Sequence, residues 1–176
     1  MTRRGQLVLV AAALVAVALV PILFASMQLG YHDDVRATAE YDDPSVDALR
    51  VLDRAVATES ASIPRQFAWA ANESAVTRLR TDLRPRVDRL RTSRVEDGVY
   101  YAVAYNDTAA GEWAAANCPT GPGRQFGDCH SDRGVAVQNR VNRTHVLAVG
   151  FDVTTTTDRG ETSVTVVLRA TGRSRW

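Results

Sequence analysis

The hydrophobic pattern of the chain divides into one unbroken apolar stretch and a longer amphipathic remainder. From Leu7 to Met27 no side chain is charged, and only Ser26 is polar. A helix of this length rises about 30 Å, which matches the hydrocarbon core of a bilayer. We therefore expect a transmembrane helix over residues 7–29, after a basic leader over residues 1–6. A cleaved secretory signal is the alternative, although the apolar core of such a signal is usually about 7–15 residues long.

Residues 30–97 show the three- and four-residue spacing of amphipathic helices. The first such stretch predicts a helix from Ser45 to about Thr58, and Ser62 to Ala71 predicts a short helix or turn. The expected buried stripe of the first helix is Val46, Leu49, Leu52 and Val56. A second amphipathic helix is expected to bury Val76, Leu79, Leu83, Val87 and Leu90. Pro85 should kink that helix or split it, because proline removes one hydrogen bond of the helix.

From Gly98 the pattern changes to β-branched and aromatic residues with turn signals between them. The expected strands are Val99–Tyr105, Thr144–Thr155 and Glu161–Thr171, with Glu112–Ala116 as a short fourth strand. The pattern assigns no definite element to Gly134–Gln138, and Thr157–Gly160 should form the turn of a hairpin. Residues 98–176 are thus expected to form a small antiparallel sheet with one face packed on the helical part, residues 30–97. The predicted fold class is α+β, with the transmembrane helix first.

The leader and the apolar stretch resemble a known processing site. A short basic leader ends at Gly5, Gln6 follows, and an unbroken apolar helix continues from there, which resembles archaeal type IV pilins and pilin-like proteins. The resemblance implies that a membrane peptidase cuts between Gly5 and Gln6. It departs from the bacterial pattern, since Val10 occupies the fifth mature position, where bacterial pilins have Glu. The N-terminus is also similar to uncharacterised haloarchaeal membrane proteins that begin with RGQLVLVAAA-type segments.

Charge adds an orientation to this picture. Arg3 and Arg4 precede the apolar stretch and Asp33 and Asp34 follow it, so the positive-inside rule places the N-terminus in the cytoplasm. The main domain is then expected outside the cell, on a single-pass anchor in the cell membrane. The formal net charge is only +1, which argues against a general nucleic-acid-binding protein.

Arginines concentrate on the second amphipathic helix. Residues 75–94 contain seven arginines and two aspartates, whereas residues 31–62 are acidic. One interpretation is a partner-binding face for DNA, anionic lipid or an acidic neighbour. The other is internal pairing with the acidic segment, which we favour because no aromatic residue separates the arginines as in a strand-binding groove. The positions assigned to the partner-binding face are Arg84, Arg86 and Arg91.

Two cysteines, Cys118 and Cys129, bracket a loop rich in glycine and proline. A close pair on the expected outer side predicts a disulfide. The alternative is a metal site made by both cysteines with His130 and His145, but the spacing lacks a CxxC pair. We expect no metal and no cofactor.

Three Asn-x-Ser/Thr motifs follow the apolar stretch, at Asn72, Asn106 and Asn142. Each is expected at a loop or at the end of an element, where N-glycosylation is sterically allowed. No catalytic motif of a known class is present, and His145 with Asp152 is the one dyad that can be drawn. We therefore do not expect an enzyme.

The leading functional expectation is a membrane-anchored, pilin-like or pseudopilin-like subunit with a structural role. Its contacts would be membrane lipid and other subunits of the same kind, through the N-terminal helix. The alternative is a tethered extracellular binding module that never assembles. An anchored enzyme is a third reading, which the absence of motifs disfavours.

Overall fold

A computed structural model describes residues 43–123 and 126–170 of the chain. From Pro44 onward they belong to one compact unit. The basic leader, the expected transmembrane helix and the Gly5–Gln6 junction lie outside the described residues. Within those residues, no helix is both long enough and apolar enough to cross a membrane.

Helices precede most of the strands along the described chain. The helices are α1 (Pro44–Ser60), α2 (Ile63–Gln66), α3 (Asn72–Thr92) and α4 (Asp107–Asn117), with 3-10 turns at Trp69–Ala71 and Val95–Asp97. The strands are β1 (Tyr100–Tyr105), β2 (Phe126–Asp132), β3 (Val135–Arg140), β4 (Arg143–Thr157) and β5 (Gly160–Arg169). Every strand pair is antiparallel. The expected α+β class, with helices followed by an antiparallel sheet, is confirmed.

Strand β4 is the centre of the sheet. Strand β5 pairs with it from Ala148 to Thr157, along one edge. On the other edge β3 pairs with the first half of β4 and β1 with the second half, and β2 pairs with β3. The strands β3 and β1 therefore meet end to end beside Gly150, which separates the Val135–Val149 pair from the Tyr105–Phe151 pair.

The main core lies between one face of the sheet and helices α1 and α3. Its largest fully buried side chains include Leu52, Ile63, Leu79, Leu83, Phe151 and Leu168. The stripe expected on α3 is buried throughout and is confirmed. On α1 the stripe is rotated, because Val46 is 48% exposed while Ala48 and Ala55 are buried. The small alanine side chains let α1 approach the core closely. The spacing of the larger hydrophobic residues in the sequence did not indicate that alanines would face the core.

Helix α4 covers part of the opposite face of the sheet. Part of its segment was expected to form a strand instead. The prediction of a short strand at Glu112–Ala116 is wrong, because Asn106 Oδ1 accepts a hydrogen bond from the Ala109 N–H (2.8 Å) and caps a helix that continues to Asn117. Alanines dominate the segment and favour a helix. They also give it a small buried surface, at Ala110 and Ala114. The sheet thus has helices on both faces rather than on one.

A polar cluster fixes the start of α4 to the sheet. Asn106 Nδ2 donates to both oxygens of Asp152, at 2.9 and 3.0 Å, and the Thr165 hydroxyl donates to the same carboxylate at 2.6 Å. The hydrogen bonds from Thr165 and Asn106 lower the pKa of Asp152. Directly beside this cluster, α4 crosses β4 at Gly150, whose missing side chain gives room for the Asn106 carbonyl.

Other expectations have mixed outcomes. Helix α3 runs through Pro85 without splitting, and that residue lies on its exposed side. The segment Gly134–Gln138, to which the sequence pattern assigned no definite element, lies almost entirely in strand β3. Strand β2 was not predicted, because its polar residues lack the alternation that identifies a strand. The β4–β5 hairpin is confirmed, with Thr157 paired to Gly160.

The turn between β3 and β4 contains an unfavourable residue. Val141 and Asn142 both have positive φ, 53° and 57°, as a type I′ turn requires, but a β-branched side chain strongly disfavours this region. Val141 is also 69% exposed, so packing does not compensate. Replacing Val141 with Asn should raise the free energy of unfolding by about 1 kcal/mol in a denaturant titration. Val141→Thr keeps the β-branch and should change it little; equal effects of both variants would contradict this explanation.

Candidate functional site

The arginines of α3 lie between its buried residues Leu79, Leu83, Val87 and Leu90, and all but Arg80 are exposed. Several of them have partners on the same helix or its C-terminal turn. Arg78 Nε lies 2.8 Å from Asp82, Arg91 Nη1 lies 3.3 Å from Asp88 and Arg94 Nε lies 3.4 Å from Asp97. Exposed pairs of this kind contribute about 0–1 kcal/mol each. They pair three of the seven arginines of residues 75–94 with carboxylates.

Arg86 of α3, and Arg94 just after the end of α3, form ion pairs with α1. Arg86 Nη2 lies 3.4 Å from Glu59 of α1, and Arg94 Nη1 lies 4.0 Å from Asp47 of the same helix. These contacts follow the antiparallel packing of α1 on α3. Pairing between the acidic segment and the arginine helix thus occurs, but most of the pairs are within one element.

A groove between α1 and α3 brings arginines of both helices together. We call it the arginine groove; it has a volume of about 390 Å³ and is lined by Val51, Arg54, Ala55, Thr58, Arg86, Arg89, Leu90 and Ser93. Its apolar residues come from one helix on each side, and Val51 is 36% exposed there. Among the described residues its lining includes three guanidinium groups and no carboxylate, and one of the three, Arg86, is paired with Glu59 beside the groove. Such a surface suits an acidic amphipathic segment, with apolar contacts in the centre and charge at the margin.

The three arginines assigned to a partner-binding face do not share one surface. Arg86 lines the arginine groove. Arg91 donates from Nη2 to the Val103 carbonyl of β1 at 2.8 Å, and the charge of Arg84 acts on Tyr105. The groove instead includes Arg54 and Arg89. The sequence feature that could have identified Arg54 is its spacing on α1. It follows Val51 by three residues and precedes Thr58 by four, which places all three on one side of the helix.

Tyr105, at the end of β1, lies beside α3. The guanidinium carbon of Arg80 is 3.8 Å from its ring centroid, and the ring of Phe151 is 4.9 Å away on another side. Burial raises the pKa of Tyr105, and the positive charges of Arg80 and Arg84 oppose that effect. Its buried hydroxyl has no hydrogen-bond partner in the part of the chain that the structure describes. The arrangement is a packing contact of a cation on an aromatic ring.

The cysteines form the expected disulfide. Cys118 and Cys129 are bonded, which joins the end of α4 to β2, and both pack against the small cluster under α4. Because the sulfurs bind each other, they offer no thiolates to a metal. Across residues 43–123 and 126–170, no three side chains of metal-binding type come together. The expectation of no metal stays a prediction.

The structure does not bring the candidate dyad together. His145 and Asp152 lie at opposite halves of β4, about 23 Å apart at the usual rise of a strand. Burial lowers the pKa of His145, and the charge of Arg140 adds to that effect. Asp152 is engaged by Asn106 and Thr165, as described above. Neither residue is placed to activate the other.

The three glycosylation motifs differ in their surroundings. Asn72 begins α3, and its Nδ2 donates to the Trp69 carbonyl at 2.8 Å. Asn106 is the cap of α4, and its Nδ2 is engaged by Asp152. Asn142 lies exposed in the turn before β4. Occupancy of all three stays a prediction.

One known protein family matches nearly the whole chain. A family model described as "Family of unknown function (DUF7261)" matches residues 1–169. No curated protein and no solved structure matches the chain.

Proposed function

The chain belongs to the DUF7261 family of unknown function, and from its residues we propose that it is a single-pass, membrane-anchored, pilin-like surface subunit. The observation that carries the proposal is the uncharged stretch from Leu7 to Met27 behind a basic leader. A helix of this composition is stable in a bilayer and is equally suited to packing against identical helices. The resemblance of the N-terminus to archaeal type IV pilins and to haloarchaeal membrane proteins supports the same proposal.

The described residues support an outer position for the main domain. A disulfide such as Cys118–Cys129 persists on the oxidising side of a membrane and is rare in a reducing cytosol. The charge asymmetry of Arg3 and Arg4 against Asp33 and Asp34 favours the same orientation. A helical layer followed by an antiparallel sheet also agrees with a pilin-like order of elements. In this role the apolar helix anchors the subunit and packs against its neighbours, and the main domain faces solvent.

Processing of the leader tests the pilin-like part of the proposal. Replacing Gly5 with Leu should prevent cleavage before Gln6, because a bulky side chain would occupy the position next to the scissile bond. In cells that contain a prepilin-type peptidase, intact-mass spectrometry should find the wild-type chain without residues 1–5 and the variant with them. Gly30→Leu, beyond the apolar stretch, is the matched control and should be processed. An uncut wild-type chain would remove the peptidase argument.

The second candidate is a tethered binding module that acts as a monomer. The arginine groove favours it, because the groove offers apolar contacts and the guanidinium groups of Arg54 and Arg89 to an acidic partner, while Arg86 is already paired with Glu59. Crosslinking in membranes separates the two candidates. The chain contains no lysine, so amine-directed reagents are unsuitable, whereas its native cysteines are already bonded to each other. Engineered cysteines can therefore be read without background.

A pair of substitutions in the apolar stretch, Ala12→Cys and Ala18→Cys, should give a ladder of oxidised species for an assembling subunit. A monomeric module should give one band. The control pair is Ala102→Cys and Ala116→Cys, at two exposed positions of the main domain. This pair reports random collisions at the same density in the membrane, and a ladder of equal strength from it would argue against assembly through the apolar helix.

A further inference from the structure

A second basic pocket lies on the side of the sheet opposite the arginine groove. We call it the α4 pocket; it has a volume of about 190 Å³ and is lined by Trp113, Asn117, Pro119, Arg140, Leu147 and Arg169. These residues come from the end of α4, the segment after it, and the strands β3, β4 and β5. The convergence of five segments on one small cavity distinguishes it from the open surface around it.

A fully buried glutamine organises the pocket. Gln138 is 0% exposed, donates from Nε2 to the Pro119 carbonyl at 2.9 Å and accepts from Arg140 Nε at 3.0 Å. One side chain thereby fixes both the backbone after α4 and the guanidinium of Arg140. The adjacent disulfide holds the same backbone from the other direction, since Pro119 follows Cys118. The site is preorganised, which lowers the entropy cost of binding a ligand.

The lining is positive. Among the residues that the structure describes, it contains two guanidinium groups and no carboxylate. The guanidinium carbon of Arg140 is 4.6 Å from the Phe126 ring centroid, and that of Arg169 is 5.9 Å from the Trp113 ring centroid. The charge of Arg140 also contributes to the lowered pKa of His145 nearby. An anionic group is therefore favoured in the cavity, and guanidinium groups bind a planar carboxylate well.

The other residues that line the pocket indicate the chemistry of the rest of the ligand. Trp113 and Leu147 provide apolar surface, which an inorganic anion would not use. Asn117 donates its Nδ2 to the Trp113 carbonyl at 2.9 Å, so its Oδ1 is the atom suited to accept from a hydroxyl group. The cavity is also smaller than the roughly 300–1,000 Å³ of pockets for drug-sized ligands. It suits a single small ring rather than an extended chain.

We propose that the α4 pocket binds a carboxylate-bearing sugar, a uronate, with its carboxylate on Arg140 and Arg169 and its ring against Trp113. Gln138 acts as a positioning residue for Arg140. The inference is independent of membrane assembly, because every residue that carries it belongs to the main domain.

Calorimetric titration of the full chain in detergent micelles, with the disulfide intact, tests the proposal. Glucuronate should bind saturably, whereas glucose, which lacks the carboxylate, should bind at least about tenfold more weakly, as expected for loss of a hydrogen-bonded charge. Inorganic sulfate should bind more weakly than glucuronate, because it leaves the apolar wall uncovered. Higher salt should reduce the glucuronate affinity.

Arg169→Gln is the decisive variant, since Arg169 is exposed and its replacement leaves the core unchanged. It should weaken glucuronate binding about tenfold, and Arg140→Gln should do the same. Arg159→Gln, in the exposed turn between β4 and β5, is the matched control and should bind as the wild type does. Thermal unfolding of each variant checks that the fold is retained. The proposal is overturned if glucuronate does not bind, if sulfate binds equally well, or if Arg169→Gln binds glucuronate with unchanged affinity.

Discussion

Replacing Gly150 with alanine should lower the free energy of unfolding by about 3 kcal/mol, at the upper end of the range for overpacked sites. A Cβ at this position would lie 2.5 Å from the Asn106 carbonyl oxygen and 3.1 Å from the Ala110 amide nitrogen. Both are backbone atoms, so no flexible side chain can move aside. Either α4 shifts away from β4, or the strand distorts at the point where β3 and β1 meet.

The shift would also disturb the polar cluster, because Asn106 must keep its position to bond Asp152 and to cap α4. Denaturant unfolding of the full chain, followed by near-ultraviolet circular dichroism, measures the loss. Gly111→Ala is the matched control on α4. Its Cβ would meet only the Ser131 hydroxyl, at 3.3 Å, while alanine favours the helix by about 0.5–1 kcal/mol. A Gly150 variant as stable as the Gly111 variant would contradict the close packing described here.

Replacing Cys118 and Cys129 together with alanine should cost about 3 kcal/mol, as the chain-entropy model gives for a loop of this length. The sequence separation of the two cysteines is 11, so the bond restricts a short loop in the unfolded chain. The small cluster under α4 depends on the same bond, since it contains few large side chains. A limited core relies more on a crosslink than a large one does.

Denaturant titrations of the oxidised wild type, the reduced wild type and the double variant check this expectation. The reduced protein and the double variant should unfold at similar denaturant concentrations, both well below that of the oxidised protein. Main-core residues such as Leu83 should remain protected from hydrogen exchange in all three. Equal stability of the oxidised and reduced proteins would contradict a stabilising role for the bond.

The elements that could be predicted are those with strong periodicity. The five apolar residues of α3 fall on one face, and the long alternation of β4 and β5 identifies their hairpin. Helix α4 was missed because alanine has no clear position on a hydrophobic pattern. Strand β2 was missed because an edge strand with a polar sequence lacks alternation. In both cases the local sequence is ambiguous, and packing against β3 and β4 decides the structure.

Candidate sites were harder to predict than elements, because a site depends on residues distant in sequence. Six of the seven arginines of residues 75–94 lie on α3, but their number gave no information about which of them would pair with Asp82, Asp88 or Glu59. The α4 pocket combines Arg140 and Arg169 with Trp113, and no spacing in the sequence relates the three. The disulfide, by contrast, joins two residues close in sequence and was predictable from their spacing and the expected outer position of the domain.

The cap of α4 imposes an order of events on any sugar attached at Asn106. In the folded domain the acceptor nitrogen is held by Asp152 while the amide oxygen holds the helix, so a transferase would find this residue only on a nascent chain. Asn142, on its exposed hairpin turn, stays accessible after folding is complete. A glycan found at Asn106 would therefore show that the sugar was attached before α4 docked on the sheet. A glycan at Asn142 could be attached before or after folding, so it would give no information about the timing.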